Sequence, residues 1–166
     1  MKDYSTTDIQ FYRDTVWSLF ENKVPARISN GAPEHARIIF LAMLHFAKAQ
    51  VKIFCENLNP EVFDSPELVA ELKNAIERGV VVSVFTQKKP SDIEFTTVLE
   101  TAKNSSEVKQ VKNDFLRKQE VNFAVMDSSA FRYEPNKGEV KALASANEPA
   151  ACKIILQNFA LMESHA

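Results

Sequence analysis

The stretch that decides the fold is VKIFCENLNPEVFDSPELVAELKNAIERGVVVSVFTQ, residues 51–87. Val51–Cys55 is a short, mainly apolar strand candidate. Val80–Phe85 is apolar on both faces, a pattern typical of interior parallel strands that helices cover. Between them, Ser65 is a helix-capping residue followed by a proline at the first helical position, and Gly79 suits a left-handed helix end. The stretch therefore predicts a βαβ unit, which is expected to be right-handed.

The chain after this unit predicts more helix and one further central strand. Residues 91–118 are expected to be helical in two pieces broken near Asn104, and Val108, Val111 and Phe115 are expected to face inward in the second piece. Val121–Met126 is the third predicted strand.

A hairpin and a last helix are predicted to follow. Residues 130–133 and 139–145 are expected to pair around the turn-forming residues 135–138. Asn147 and Pro149 open the last helix. Its buried face is expected to contain Ala151, Ile154, Ile155, Phe159 and Met162.

The segment before the unit predicts two helices joined by a loop. Residues 7–22 have the spacing of an amphipathic helix, and residues 23–32 contain loop-forming residues. A second helix begins near Pro33 and runs to about Ala49, apolar almost all round. We expect one globular α/β unit, a mixed sheet flanked by helices, in which residues 1–32 are an extra N-terminal helix with its linker and residues 33–166 are the α/β domain.

Composition excludes several classes of function. The chain has 166 residues, a formal net charge of -2, two cysteines, three histidines and three glycines. No apolar run is long enough to span a bilayer and the polar start does not fit a signal peptide, so a cytoplasmic location and no membrane association are expected. Cys55 and Cys152 are expected to be reduced. Scarce glycine disfavours a nucleotide-binding loop, and no cofactor is expected.

Two segments resemble half of a phospholipase D superfamily domain. Residues 47–87 are similar to the family's opening strand, polar loop, helix with a terminal Arg-Gly pair, and second strand. Residues 120–163 are similar to its closing strand, hairpin and C-terminal helix, which here includes ANEPAACKIILQNFALM, residues 146–162. Together the segments cover roughly half of the chain, and the resemblance implies a phospholipase D-like mixed sheet.

The family's signature is H-x-K-x4-D, followed by a G-S pair and a later Asn. The resemblance implies chemistry in which one His attacks phosphorus, a second protonates the leaving oxygen, Lys and Asn hold the phosphate charge and Asp orients the His. Two copies of the motif are needed, from two repeats or two subunits, so the resemblance also implies a homodimer.

In this chain the signature is degenerate. The matching window is EVNFAVMD, residues 120–127, with Glu120 at the His position, Asn122 at the Lys position and Asp127 retained. Residues 131–134 stand where the G-S pair is expected, and Asn136 and Glu139 are possible remnants of the later element. A carboxylate repels a phosphodiester and no local Lys neutralises it, so no catalytic residue is expected here.

Other side chains allow alternative interpretations. Glu120, Asp127, Glu134 and Glu139 would gather into a Mg²⁺ or Ca²⁺ site, although their spacing does not indicate one and no metal is predicted. Asp127 also fits a turn-forming role, and Cys55 would be a nucleophile only with a spatial partner. A basic patch for nucleic acid, or simply a solvated face, is indicated by Lys109, Lys112, Arg117 and Lys118, with Lys88, Lys89 and Lys103 nearby.

Three hypotheses of function follow. The leading one is a non-catalytic phospholipase D-like module that acts by binding a protein partner, its own copy or nucleic acid. The second is a phosphodiesterase or nuclease that uses a divergent, metal-dependent acidic site. The third is an unrelated α/β domain.

Overall fold

A computed structural model describes residues 6–137 and 141–165, and these residues form seven helices and seven strands. The helices are α1 Thr6–Glu21, α2 Pro33–Phe46, α3 Pro60–Phe63, α4 Pro66–Glu77, α5 Glu94–Glu100, α6 Asp114–Arg117 and α7 Pro149–His165. The strands are β1 Arg27–Asn30, β2 Gln50–Cys55, β3 Val81–Thr86, β4 Glu107–Gln110, β5 Asn122–Met126, β6 Ala130–Glu134 and β7 Ala142–Ser145.

The strands form one mixed sheet in the order β1-β7-β6-β5-β2-β3-β4. The βαβ unit makes β2 and β3 parallel, and β4 continues that direction at one edge. Every other neighbouring pair is antiparallel. The predicted α/β class and the three predicted strands are confirmed, and β5, β2 and β3 lie at the centre of the sheet.

Helices cover both faces of this sheet, and the two faces have separate cores. On one face, α1 to α5 pack with strand residues such as Ile53, Val84 and Ala124. On the other, α7 packs on Phe123 and Phe131. This double coverage explains the continuous apolar strands, because each central strand buries side chains on both sides. None of the helices in the described part of the chain is long and apolar enough to cross a membrane.

The helix signals around α4 are confirmed in detail. The Ser65 hydroxyl accepts a hydrogen bond from the Leu68 amide at 3.3 Å, and Pro66 is the first helical residue. After the helix, Gly79 has a φ of +93°, which glycine adopts without strain. Arg78 donates from one nitrogen to the carbonyls of Leu44, His45 and Ala47, which ties the end of α4 to the end of α2.

Three predictions about local structure were wrong. The loop predicted for residues 23–32 contains β1, which pairs with β7. The second helical piece predicted within residues 91–118 is β4 followed by the short α6. Its predicted inward residue Phe115 is 72% exposed, although Val111 is buried as expected. Ile154, predicted on the buried face of α7, is 63% exposed.

Hydrogen bonds from residues 104–106 explain why a strand replaces the predicted helix. The Ser106 hydroxyl accepts a bond from the Val82 amide at 2.9 Å, and the Asn104 side chain donates to the Val80 carbonyl at 3.0 Å. These bonds hold the chain beside β3, so the next residues pair with β3 as β4. The predicted hairpin is present as β6 and β7, but its residues 138–140 lie outside the described part of the chain.

Candidate functional site

A cavity of about 360 Å³, here called the cleft, opens on the α2 face of the sheet. It lies where β2 ends and β5 begins, beside the start of α2 and the short α3. Carboxyl ends of strands are the usual place for ligands in open α/β sheets. The cleft has apolar walls that include Phe40, Val62 and Phe63. Its polar and charged lining consists of Cys55, Glu56, Asn57, Asn59, Glu61, Asn122, Arg132, Glu134 and Lys137.

One end of the degenerate motif lies at this cleft. Asn122, the first residue of β5, lines it and donates from its side-chain nitrogen to a Glu134 carboxylate oxygen at 2.8 Å. The two residues are direct partners in the β5–β6 register, which brings the side chains together. Glu120 is exposed just before the strand, and its backbone carbonyl accepts a bond from the Lys137 amide at 2.7 Å.

Asp127 lies at the opposite end of β5. Seven extended residues span about 20 Å, so Asp127 is far from Glu120. Its carboxylate accepts hydrogen bonds from the amides of Lys48, Ala49 and Gln50, at 3.0, 2.8 and 3.0 Å. Asp127 therefore fixes the start of β2 and contacts no side chain of the cleft. An acidic metal site that combines Glu120 with Asp127 is not assembled.

Arg132 is a buried cation of the cleft that we did not identify from the sequence as a site residue. It is 7% exposed, donates to the Asn30 side-chain oxygen at 3.1 Å and lies 5.3 Å from the centre of the Phe40 ring. A guanidinium nitrogen of Arg132 and a carboxylate oxygen of Glu134 are 3.8 Å apart. Burial lowers the pKa of Arg132, and the nearby Glu134 carboxylate opposes that shift. The only sequence signal was an alternation in β6 that places Arg132 and Glu134 on one face.

The charges that line the cleft do not add up to a phosphate site. Two cations, Arg132 and Lys137, stand among three carboxylates, those of Glu56, Glu61 and Glu134. Lys137 donates to the Gln87 side chain at 2.9 Å. The Glu56 carboxylate contacts Lys88 at 2.5 Å, and that hydrogen bond lowers its pKa. No excess positive charge is left in the described lining to receive a phosphodiester.

Neither a nucleophilic thiol nor an imidazole is available in the described lining of the cleft. The Cys55 thiol lines it, but burial raises its pKa to about 12, so it stays protonated at neutral pH. His45 pairs with Glu71 at 3.2 Å at the end of α2. His35 stacks on Tyr12 with 4.1 Å between ring centres. In the described part of the chain, no cluster of three His, Cys, Asp or Glu side chains could hold a metal ion.

The predicted basic residues lie elsewhere, at the β4 edge of the sheet. Lys109 is on β4, Lys112 follows it, and Arg117 and Lys118 are at the end of α6, all of them exposed. We call these four residues the basic strip. Asp114 lies among them, 4.0 Å from Arg117. The possible motif remnant Asn136 is exposed next to Lys137, and Glu139 lies outside the described residues.

Beside the basic strip is a second depression, here called the α6–α7 groove. Phe115, Leu116, Val121, Leu161 and Met162 line it, together with Phe123 at its base and the polar residues Asn113, Gln119 and Asn158. Phe115 and Leu161 are 72% and 61% exposed. The groove is on the α7 face of the sheet, and the cleft is on the other.

Comparison with solved structures identifies the fold. Nuc from Salmonella typhimurium, a phospholipase D family member, matches with a TM-score of 0.63 and 16% identity over 85% of this chain and 95% of its own. NucT from Helicobacter pylori matches with a TM-score of 0.62 and 12% identity over 84% of this chain and 96% of its own.

A third similar structure is TrmBL2, an archaeal chromatin protein described as showing a novel mode of DNA binding. It matches with a TM-score of 0.55 and 12% identity over 92% of this chain and 65% of its own. No protein-family model and no curated protein matches this chain significantly. The fold is phospholipase D-like, which confirms the resemblance seen in the sequence.

Proposed function

We propose that this chain is a non-catalytic module with a phospholipase D-like fold and that it acts by binding. One observation carries the proposal. At the motif positions of the attacking His and the phosphate-binding Lys, this chain has an exposed Glu120 and an Asn122 that is hydrogen-bonded to Glu134. Covalent phosphoryl transfer needs a nucleophile and an excess of positive charge. The described lining of the cleft offers no reactive nucleophile, and its two cations are outnumbered by three carboxylates.

The alternative hypothesis of a metal-dependent hydrolase has less support. Its acidic residues Glu120 and Asp127 are at opposite ends of β5, and Asp127 is occupied by three backbone amides. Glu134 is held by Asn122 and faces Arg132, which reduces its capacity to bind a cation.

A cleavage assay tests the proposal. The purified protein is incubated with bis(p-nitrophenyl) phosphate and with single-stranded DNA, first in EDTA and then in Mg²⁺ or Mn²⁺. We expect no turnover above buffer in any arm. Turnover that the Asn122→Ala variant loses and the Gln157→Ala variant keeps would contradict the proposal, since Gln157 is an exposed residue of α7. A rate unchanged by Asn122→Ala would indicate a contaminant.

Nucleic acid is one class of partner that the comparisons suggest, because TrmBL2 is described as binding DNA. In this chain the basic strip supplies the cations that such binding needs. The strip adjoins the exposed apolar side chains of Phe115 and Leu161. A phosphate backbone that contacts the strip would leave these side chains uncovered. This combination of charge and apolar surface narrows the class of partner.

A further inference from the structure

We propose that the α6–α7 groove binds an acidic amphipathic helix of a protein partner. The inference rests on the proposed binding function and names the class of partner. It starts from the apolar side chains that the sequence pattern predicts as buried and the structure exposes. Phe115 and Ile154 are two of these, at 72% and 63% exposure.

The apolar surface is a stripe with helical spacing. On α7, Ile154 and Leu161 are seven residues apart, with the groove-lining Asn158 between them, so the three positions lie on one side of the helix. Phe115 of α6 lines the same groove as Asn158 and Leu161. A groove between two elements with aliphatic and aromatic walls accommodates apolar side chains spaced at i, i+4 and i+7 on a partner helix.

Charge around the groove selects the partner. Residues 109–120 contain the four cations of the basic strip and two carboxylates, Asp114 and Glu120. The Glu163 carboxylate at the far end of α7 is engaged by Lys52 at 2.5 Å. The surface beside the groove is therefore net positive, which favours a partner whose polar face is acidic.

The same charge disfavours two other occupants. A second copy that docked groove to groove would bring its own basic strip against this one, and like charges at an interface are unfavourable. Nucleic acid would pair with the strip, but the aliphatic side chains of Leu116, Val121 and Leu161 offer it no charge or hydrogen bond. An acidic helix with an apolar face complements both parts of the surface.

A peptide titration tests the inference. The probe is a fluorescein-labelled 16-residue peptide with Leu at i, i+4, i+7 and i+11 and mainly Glu elsewhere, titrated by anisotropy against the full chain. Two comparison peptides have the scrambled sequence and the same apolar face with Lys in place of Glu. We expect binding of the acidic amphipathic peptide alone, weaker at 300 mM than at 50 mM salt.

Matched variants locate the binding. Phe115→Ala is expected to weaken the affinity about tenfold, the range of an anchoring aromatic residue. Phe11→Ala is the control, because Phe11 on α1 is equally exposed, at 74%. Lys112→Glu with Lys118→Glu is expected to weaken binding, whereas Lys48→Glu with Lys73→Glu, both exposed elsewhere, is not.

Several outcomes would overturn the inference. These are no binding of the acidic peptide, equal binding of the basic or scrambled peptide, affinity unaffected by Phe115→Ala, displacement of the peptide by equimolar single-stranded DNA, or a dimer that Phe115→Ala dissociates. The cleavage assay and the peptide titration test separate proposals. Turnover in the cleavage assay would refute the non-catalytic proposal, and peptide binding would be unaffected by it. Absence of both turnover and peptide binding would refute the groove alone.

Discussion

Asp127 is the one residue of the motif that keeps its identity, and its contacts are structural. Three backbone amides converge on its carboxylate, and its φ of +53° is one that Asp and Asn tolerate better than other side chains. The retained aspartate therefore indicates that the scaffold is kept, and it carries no information about activity.

We expect Asp127→Ala to lower the free energy of unfolding by about 3 kcal/mol, because three amides lose a charged acceptor and alanine is strained at this φ. Asp127→Asn, which keeps one oxygen and tolerates the conformation, is expected to cost less than half of that. Urea unfolding measures both. Asp92→Ala removes an exposed carboxylate and serves as the control, with a change of under about 0.5 kcal/mol. Equal effects at positions 92 and 127 would refute this role.

The two thiols predict how stability depends on alkaline pH. Burial raises the pKa of Cys55 to about 12 and that of Cys152 to about 11, from an ordinary value of 9.0. Above pH 9 the unfolded chain releases these protons while the folded chain retains them. The stabilisation is therefore complete below pH 9 and is lost as the pH rises toward 11 and 12.

Urea unfolding at pH 8, 9 and 10 checks this dependence. We expect the free energy of unfolding to fall more steeply above pH 9 in the wild type than in a Cys55→Ala/Cys152→Ala variant. The variant lacks both thiols but retains Tyr12, and burial raises the pKa of Tyr12 as well. Only the difference between the two slopes therefore reports on the thiols. Parallel slopes would show that the thiols do not contribute.

At the scale of elements, the junction between the end of α2 and the end of α4 depends on one guanidinium. Arg78 donates to three carbonyls at the end of α2, where the helix leaves carbonyls unpaired and its dipole favours a cation. We expect Arg78→Ala to cost about 2 kcal/mol in urea unfolding. Lys73→Ala on the same helix, which loses only an exposed pair with Glu94, is expected to cost under about 0.5 kcal/mol. A smaller effect at Arg78 than at Lys73 would contradict this account.

The elements that the sequence predicts correctly are those that local signals specify. The unit from β2 to β3 has two apolar runs, a capping serine and a terminal glycine, all within 40 residues. In contrast, β1 is Arg27–Asn30 with a single apolar residue, and it is a strand only because β7 pairs with it. The strand β4 was missed for a similar reason, since Ser106 and Asn104 hold it to β3 through bonds that span 24 residues.

The site was predictable in part. Asn122, which the sequence identifies as a degenerate motif position, lines the cleft because β5 begins there. Arg132 was missed because its significance comes from contacts with Asn30 and Phe40, which are distant in the chain. The alternative of an acidic site that combines Glu120 with Asp127 had no support from their spacing. The extended strand β5 keeps the two residues farther apart than a helix of that length would.

At the scale of the whole molecule, the resemblance predicts a homodimer with β5 and the β6–β7 hairpin near the axis. Tyr133 and Leu143 are direct partners in the hairpin register and are 36% and 40% exposed. We expect light scattering at micromolar concentration to give twice the chain mass of 18.7 kDa. Tyr133→Lys with Leu143→Lys is expected to give the monomer, while Ile154→Lys is not. A wild-type mass of 18.7 kDa would contradict the prediction.

The pairing of β1 with β7 has a mechanical consequence. Arg27 is paired with Ser145 and Asn30 with Ala142. The segment from α1 enters β1 at Arg27 and the segment to α7 leaves β7 at Ser145, so both segments lie at the same end of the strand pair. The Arg27–Glu148 ion pair at 2.9 Å and the bond from Asn147 to the Lys23 carbonyl reinforce that side. Tension applied between α1 and α7 would open this pair one hydrogen bond at a time, like a zipper. Under an optical trap, we expect the edge strand β1 to peel away at low force, before the central strands β5, β2 and β3 separate.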